Sequence, residues 1–508
     1  MSRRTSAIAS SKTSSSWRRS PIAPKWKFAT SSWILREPLC GQLLKPQKFL
    51  PSGNKCALSR RFEVKASQIS NEEDNNASKG RVATAFRALR HHNYRLWFMG
   101  QGLSQIGTWM QSMAQQVLVY RLTGSATALG IVNFMTVLPL VPFALWGGSL
   151  ADRVPKRTII LITQSLMMVQ AFILAGLILT DTVQIWHVYA MAFFLGIFKA
   201  VDMPARQSFV IEMVEGKDDL TSAIGLNSAV RNTAKTIGPA LAGVFVAWLG
   251  EAIAFLLNGL SFLAVIISLL AMRNLSFKPA QEESHPPTGT HMIEGVRYLL
   301  GQQVLLILMS LVAVNSFLSR PYQTLLPVFA NGTLKENAKP MIAFLCNEKY
   351  QITNCRAPDA IPLGLLLSAV GLGAVMGAFL VASLSAKARR GWMLTLGNLG
   401  FPLFLLLFVN SRSMIISLGL MLLVGMSQVF QNSMANTLLQ FNVPNQLRGR
   451  VMSLYSLVSN GMTQLGGLQA GLTADWVGAP MSIGVGAAFS LFYGCFIALR
   501  YRQVRNLS

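Results

Sequence analysis

Gly225–Gly250 reads GLNSAVRNTAKTIGPALAGVFVAWLG, and Ser453–Gly478, 228 residues further on, reads SLYSLVSNGMTQLGGLQAGLTADWVG. Aligned without gaps, they share Leu226/Leu454, Ser228/Ser456, Val230/Val458, Asn232/Asn460, Gly238/Gly466, Gly243/Gly471, Trp248/Trp476 and Gly250/Gly478. With Ala242/Ala470 these make nine identities in 26 positions, which exceed what a shared apolar composition gives. A weaker match at an offset of 234 pairs Leu129-Gly130 with Leu363-Gly364 and Ser149-Leu150 with Ser383-Leu384. Two parallel, related halves are the arrangement in which a central site opens alternately to the two sides of a membrane.

Composition agrees with a membrane. The 508 residues are 52% apolar and only 13% charged, where a soluble domain carries about 25% charged residues. A water-facing surface cannot be built from so little charge, which excludes an ordinary soluble enzyme. The net charge of +25 is uneven: residues 1–80 hold 15 Lys/Arg and 5 Asp/Glu, the remainder 30 and 15. In that remainder the bases sit in short clusters between long apolar runs, which argues against a nucleic-acid partner and for loops flanking membrane spans.

From Tyr94 onward the apolar runs number twelve: 94–120, 126–150, 157–180, 185–203, 223–249, 252–272, 303–329, 361–384, 392–409, 414–438, 451–474 and 480–499. Each is near the length that crosses about 30 Å of hydrocarbon, where only helices satisfy every backbone group in one segment. The sequence therefore predicts an all-α membrane protein with twelve transmembrane helices in two six-helix bundles, 81–272 and 303–508. The cytoplasmic linker 273–302 ends in an amphipathic stretch, and 331–361 forms a long outer loop. Loops on the side of the domain's two ends carry 20 Lys/Arg; the opposite loops carry six (Arg121, Lys335, Lys339, Lys349, Arg356 and Arg412). That bias places both ends in the cytoplasm, or in the stroma if the protein is plastidial. Residues 1–80 are Ser-rich, basic and poor in acids, as transit peptides are. A plastid-envelope location follows if they are one, a plasma-membrane location if they are a disordered tail or lie upstream of the true start.

The loop after span two reads Gly147-Gly148-Ser149-Leu150-Ala151-Asp152-Arg153-Val154-Pro155-Lys156-Arg157. It closely resembles the GxLaDrxGrkR signature of the major facilitator superfamily, with Pro155 in place of a Gly. Small residues let two helices approach, and an acid with several bases lies at the surface. The resemblance implies that Asp152 engages the N-terminus of helix eleven, where the helix dipole favours an anion. Gly148, Arg153, Lys156 and Arg157 complete this gate motif. In span five, Gly225, Gly238-Pro239 and Gly243 resemble the antiporter motif gxxxxxxxxGxxxGPxxGG, which marks exporters in the family; plain close packing of helices is the other reading.

Asp202-Met203-Pro204-Ala205-Arg206-Gln207, its counterpart Val443–Val451 and Arg90–Trp97 resemble the bacterial branch that includes the enterobactin exporter. The resemblance covers about 87–500 and implies proton-driven export of a small organic solute. The family also carries an Arg one turn before a Gly in helix four, often linked to proton coupling. Here Gly196 is present but that position is Ala192.

Ionisable residues within spans cost about 2.5–3.5 kcal/mol each and mark function by default. They are Lys199, Asp202, Arg231, Lys235 and Arg320. Bases outnumber acids, which suggests a cavity tolerant of anionic groups. Proton coupling and a gate-closing network of Asp202 with Lys199 or Arg153 both stand. Gln101, Gln105, Thr108, Ser112 and Gln115 recur at helical spacing in span one, and Gln428, Gln431, Asn432 and Asn436 in span ten. Gln101, Gln105, Gln428 and Asn432 are the expected cavity lining, with interhelical hydrogen bonding as the competing use. Cys346 and Cys355 lie in the outer loop and could pair there. The five His residues share no cluster, so no metal site, cofactor or catalytic constellation is indicated. The expectation is a monomeric, proton-coupled exporter of an amphipathic or anionic compound, siderophore-like or drug-like. An uptake symporter or lysolipid-type transporter on the same fold, and a non-transporting receptor or scaffold, are the alternatives.

Overall fold

The computed structural model describes residues 86–140, 142–143, 150, 153–273, 288–346, 355–383 and 389–505. Of the sequence expectations, Gly148, Asp152 and the whole of 1–80 lie outside these residues. The first half holds α1 (His92–Thr123), α2 (Ala126–Val137), α3 (Lys156–Leu179), α4 (Ile185–Glu212), α5 (Lys217–Leu249) and α6 (Ala252–Ala271). The linker carries α7 (Thr288–Gly301). In the second half, α8 (Gln303–Leu318) and α9 (Tyr322–Asn331) make one span. After α10 (Lys335–Leu345) come α11 (Ala360–Ala382), α12 (Arg390–Asn410), α13 (Met414–Asn442), α14 (Asn445–Val477) and α15 (Ala479–Arg500). This is the major facilitator architecture, twelve transmembrane helices in two pseudo-symmetric bundles.

Span seven was expected to be continuous over 303–329. It breaks instead between Leu318 and Tyr322, because Pro321 has no N–H to give and its ring obstructs the preceding turn. Eight of the described spans are long and apolar enough to cross a membrane. The other four are α1, α5 and α14, which are long but polar, and α2, which is described as helix only to Val137. The polarity has a structural cause: α1 and α5 supply the charged and amide side chains of the interior described below.

The end at which the chain enters α1 and leaves α15 is here the linker end; the opposite end, with the Cys346–Cys355 loop, is the disulfide end. The repeat read from the sequence recurs in the backbone. Gly250 closes α5 with φ 84° and Gly478 closes α14 with φ 87°, a left-handed value that favours glycine. Their N–H groups bond Val246 O and Ala474 O, also 228 residues apart. The crossings between halves correspond as well. A Cβ on Gly364 of α11 would lie 2.6 Å from Pro239 O of α5, and one on Gly130 of α2 would lie 2.8 Å from Gly467 O of α14. Pro239 and Gly467 are related by 228, Gly130 and Gly364 by 234. The bundles thus meet through two equivalent small-residue crossings. Beside one of them, Asn133 of α2 donates to Thr324 Oγ1 of α9 at 3.2 Å.

Candidate functional site

A cavity of about 250 Å³ lies among α1, α2, α4 and α14. Trp109, Ser112, Gln115 and Gln116 reach it from α1, Asn133 and Thr136 from α2, Lys199 from α4 and Gln464 from α14. The helical spacing of Ser112 and Gln115 puts them on one face, as read from the sequence. Lys199 lies seven residues, two turns, beyond Ala192 and so shares its face. Beside this cavity the Lys235 ammonium of α5 stands 5.8 Å from the centre of the Trp109 ring, within cation–π range. Gly238, three residues on, brings α5 onto α1: a Cβ there would lie 2.6 Å from Trp109 Cβ.

Arg320 emerges where α8 breaks from α9. Its NH1 donates to Ser459 Oγ of α14 at 2.8 Å, with Ser316 and Thr463 hydroxyls at 3.5 Å. Among the described residues, Lys199, Lys235 and Arg320 stand in no ion pair with a carboxylate.

A second cavity, of about 90 Å³, lies toward the linker end, with Trp97, Gln101, Gln105, Arg206, Asn227 and Arg231 in its wall. Beneath it sits a satisfied charge network. Asp202 is 6% exposed; its Oδ1 accepts from Thr163 Oγ1 at 2.8 Å and Gln164 Nε2 at 3.1 Å, both of α3. Its Oδ2 accepts from Arg206 Nε at 2.8 Å and pairs with Arg206 NH2 at 2.6 Å. Arg206 NH1 donates to Gln101 Oε1, and the guanidinium lies 5.5 Å over the Trp97 ring. Three helices, α1, α3 and α4, are joined through one carboxylate.

This corrects the expected partner of Asp202, which is Arg206 rather than Lys199 or Arg153. The i,i+4 spacing of Asp202 and Arg206 was the available signal; Arg153 is exposed at the surface. Gln428 and Asn432 join neither cavity with Gln101 and Gln105. In their neighbourhood the interhelical use prevails: Asn398 Oδ1 accepts from Asn315 Nδ2 at 2.6 Å and from Gln431 Nε2 at 3.3 Å. Gly225 has open space around it, whereas Gly238, Pro239 and Gly243 sit in close helix contacts. Of the gate motif, Lys156 pairs with Glu212 at 2.5 Å and Arg157 NH2 donates to Leu270 O at 3.2 Å. Cys346 and Cys355 are joined as a disulfide.

At the linker end, before the apolar span begins at Ala223, Asp219 accepts from His91 Nε2 at 2.8 Å and pairs with Arg87 Nε at 3.0 Å. The His91 hydrogen bond first, then the charges of Arg87 and His91, hold this carboxyl below the usual carboxylate range. The contact fastens the segment before α1 to the start of α5. In the same region Arg450 at the start of α14 pairs with Glu294 of α7, tying the linker helix to the second bundle.

The model of a family described as "Transmembrane secretion effector" matches residues 83–346 and 352–507. A staphyloferrin A transporter of Staphylococcus aureus is 24% identical over 386 residues, covering 76% of this chain and 90% of its own length. An enterobactin exporter, EntS, of Shigella boydii is 23% identical over 402 residues, covering 78% of this chain and 86% of its own. Among solved structures, the nucleoside transporter NupG superposes with a TM-score of 0.58 at 13% identity, over 81% of this chain and 99% of that one. A bacterial homologue of the human lysosomal transporter Spinster, inward-facing and unoccupied, gives 0.60 at 14% identity, over 83% and 99%. At such identities these structures speak for the fold alone.

Proposed function

Because the chain belongs to the transmembrane secretion effector family of the major facilitator superfamily, and so is a transporter rather than an enzyme, we propose that it exports a small organic anion. Export is coupled to protons and proceeds by alternating access. The observation that carries the anionic cargo is the set Lys199, Lys235 and Arg320. Charges within a span are costly when unpaired, and these three half-buried bases converge on the inter-bundle space. Lys235 and Arg320 stand in no ion pair with a carboxylate among the described residues, and Lys199 has only Asp202, already engaged by Arg206, within its electrostatic reach. A cargo with carboxylate or phenolate groups supplies the missing counter-charge, and the Trp109 face offers it an aromatic platform. Two relatives named for siderophores, staphyloferrin A and enterobactin, support a chelator-like cargo.

In this reading residues 81–272 rock against 303–508 as a monomer, with 273–302 as the tether. The linker end faces the cytoplasm or stroma, where Lys/Arg flank the spans. The disulfide end faces an oxidising compartment, consistent with Cys346–Cys355. The two small-residue crossings make this a state closed toward the disulfide end. The network Asp202–Arg206–Gln101 and the motif around Asp152 serve the gate and proton coupling at the other end, with Arg231 in the wall between. The Ser-rich, basic, acid-poor composition of residues 1–80 supports a targeting extension and a plastid envelope; a plasma-membrane location is the alternative, and the profiling below distinguishes the two.

Metabolite profiling of cells lacking and overproducing the protein tests the reading. An anionic compound accumulating inside the former and outside the latter supports it; a neutral or cationic compound behaving so would overturn the anionic cargo.

A further inference from the structure

We infer that Asp475 of α14 is a latch that holds the disulfide end closed by capping the N-terminus of α2 in the other half. The inference rests on the alternating-access reading above, but not on the identity of the cargo.

The carboxylate accepts three bonds from consecutive residues 348–350 positions away. Oδ2 takes the Ser125 hydroxyl at 2.6 Å and the Thr127 N–H at 3.0 Å; Oδ1 takes the Ala126 N–H at 2.8 Å. The first N–H groups of a helix have no partner within it, and the helix dipole there favours an anion. Asp475 thus completes a helix that its own half leaves open. Ser125 is shared between both tasks, since its Oγ also accepts from Ala128 N–H at 3.3 Å. Four residues earlier on α14, Gly471 packs on Ala126: a Cβ there would lie 2.6 Å from Ala126 O. Parting α2 from α14 must therefore break all three bonds together.

The equivalent crossing shows that packing alone does not require this carboxylate. By the 228 and 234 offsets, Asp475 corresponds to Ala247 and Ser125-Ala126-Thr127 to Asp359-Ala360-Ile361. There α5 and α11 close with the same small-residue contact, and Ala247 contributes only its backbone oxygen, accepting from Ala357 N–H at 3.2 Å. One of two matched crossings carries a charge across the interface. Charge-assisted bonds to a helix N-terminus are short and directional, and they are lost completely once the groups separate, which is what a two-position latch requires.

The test uses the full chain with Cys40, Cys56 and Cys495 replaced by Ser, in lipid nanodiscs without cargo. Nitroxide labels on Thr182→Cys and Trp476→Cys report the separation of the halves at the disulfide end by pulsed electron resonance. The expected result is a raised long-distance population in Asp475→Asn and Asp475→Ala, by about tenfold in open-to-closed ratio. Asp475→Glu should keep the closed distance, and Ser125→Ala, which removes one of the three bonds, should fall between. Distances in Asp475→Asn and Ser125→Ala identical to those of the unsubstituted chain would overturn the latch, whatever the cargo proves to be. A shift equally large in Ala247→Ser, at the uncharged crossing, would do so too.

Discussion

The ammonium of Lys235 stands 5.8 Å from the centre of the Trp109 ring, so that a cation from α5 is held over an aromatic face of α1 beside the polar cavity of about 250 Å³ among α1, α2, α4 and α14. This juxtaposition turns a basic composition into a site. A desolvated cation–π contact is worth about 2 kcal/mol, and an anion arriving on the same cation adds a charge-assisted bond.

Replacing that cation should therefore weaken cargo binding. In Lys235→Gln the transport KM for the anionic cargo should rise about tenfold, with a smaller rise in Lys235→Arg, measured as initial efflux rates against cargo concentration. Lys199→Gln should act in the same direction. Unchanged KM in both would place the cargo elsewhere.

Asp202 and Arg206 form a buried pair with every partner in place. Removing one member of such a pair costs about 3–5 kcal/mol, so Arg206→Ala and Asp202→Asn should each lower the melting temperature in detergent. The double variant should recover part of the loss. Asp202→Asn should also abolish proton-dependent efflux, as should Asp152→Asn, while each protein still reaches the membrane.

The two crossings between halves make a symmetric demand. Gly130→Val and Gly364→Val both place carbon against a backbone oxygen of the facing helix, and overpacking of this kind costs about 1–3 kcal/mol or more. Both should depopulate the state closed at the disulfide end, by comparable amounts. The check is labelling of Gln464→Cys by a membrane-impermeant maleimide applied from that end, which should speed up in each. Gly225→Ala, in open space, should change nothing.

Asp219 gives the linker end an acid-sensitive fastening. Its carboxyl is held below the usual range by His91 and then Arg87, so it binds its proton more weakly folded than unfolded. The stabilisation is present above the ordinary carboxylate value of about 3.9 and is lost as pH falls through and below it. Thermal stability followed against pH should show an acid limb that Asp219→Asn flattens.

Much of this was legible beforehand because membrane helices leave coarse marks. The offset of 228 read from Leu226, Gly243 and Gly250 returned as matched crossings and matched glycine caps. The stripe Gln101–Gln115 faced inward because amides are costly in lipid. What resisted reading depends on contacts between distant positions. The sequence offers Lys199 or Arg153 as the partner of Asp202, and only the turn of α4 shows that Arg206, four residues on, takes its Oδ2 while Thr163 and Gln164 take Oδ1. Gln428 and Asn432 carried the same polarity as Gln101, yet Asn398 draws the neighbouring Gln431 into an interhelical bond. The break at Arg320 was hidden in an apolar run in which Pro321 was the sole signal. Asp475 had no motif at all, since its partners begin 350 residues earlier.

The central claim is gradient-driven export of an anion through the space between the bundles. Membrane vesicles inverted so that the linker end faces the bath measure it directly, using the compound that profiling finds retained in cells lacking the protein. The account predicts accumulation inside the vesicles when their interior is acid, collapse of that accumulation when a protonophore removes the gradient, and strong reduction in Lys235→Gln. Equal accumulation with and without the pH gradient, undiminished by Lys235→Gln, would contradict it.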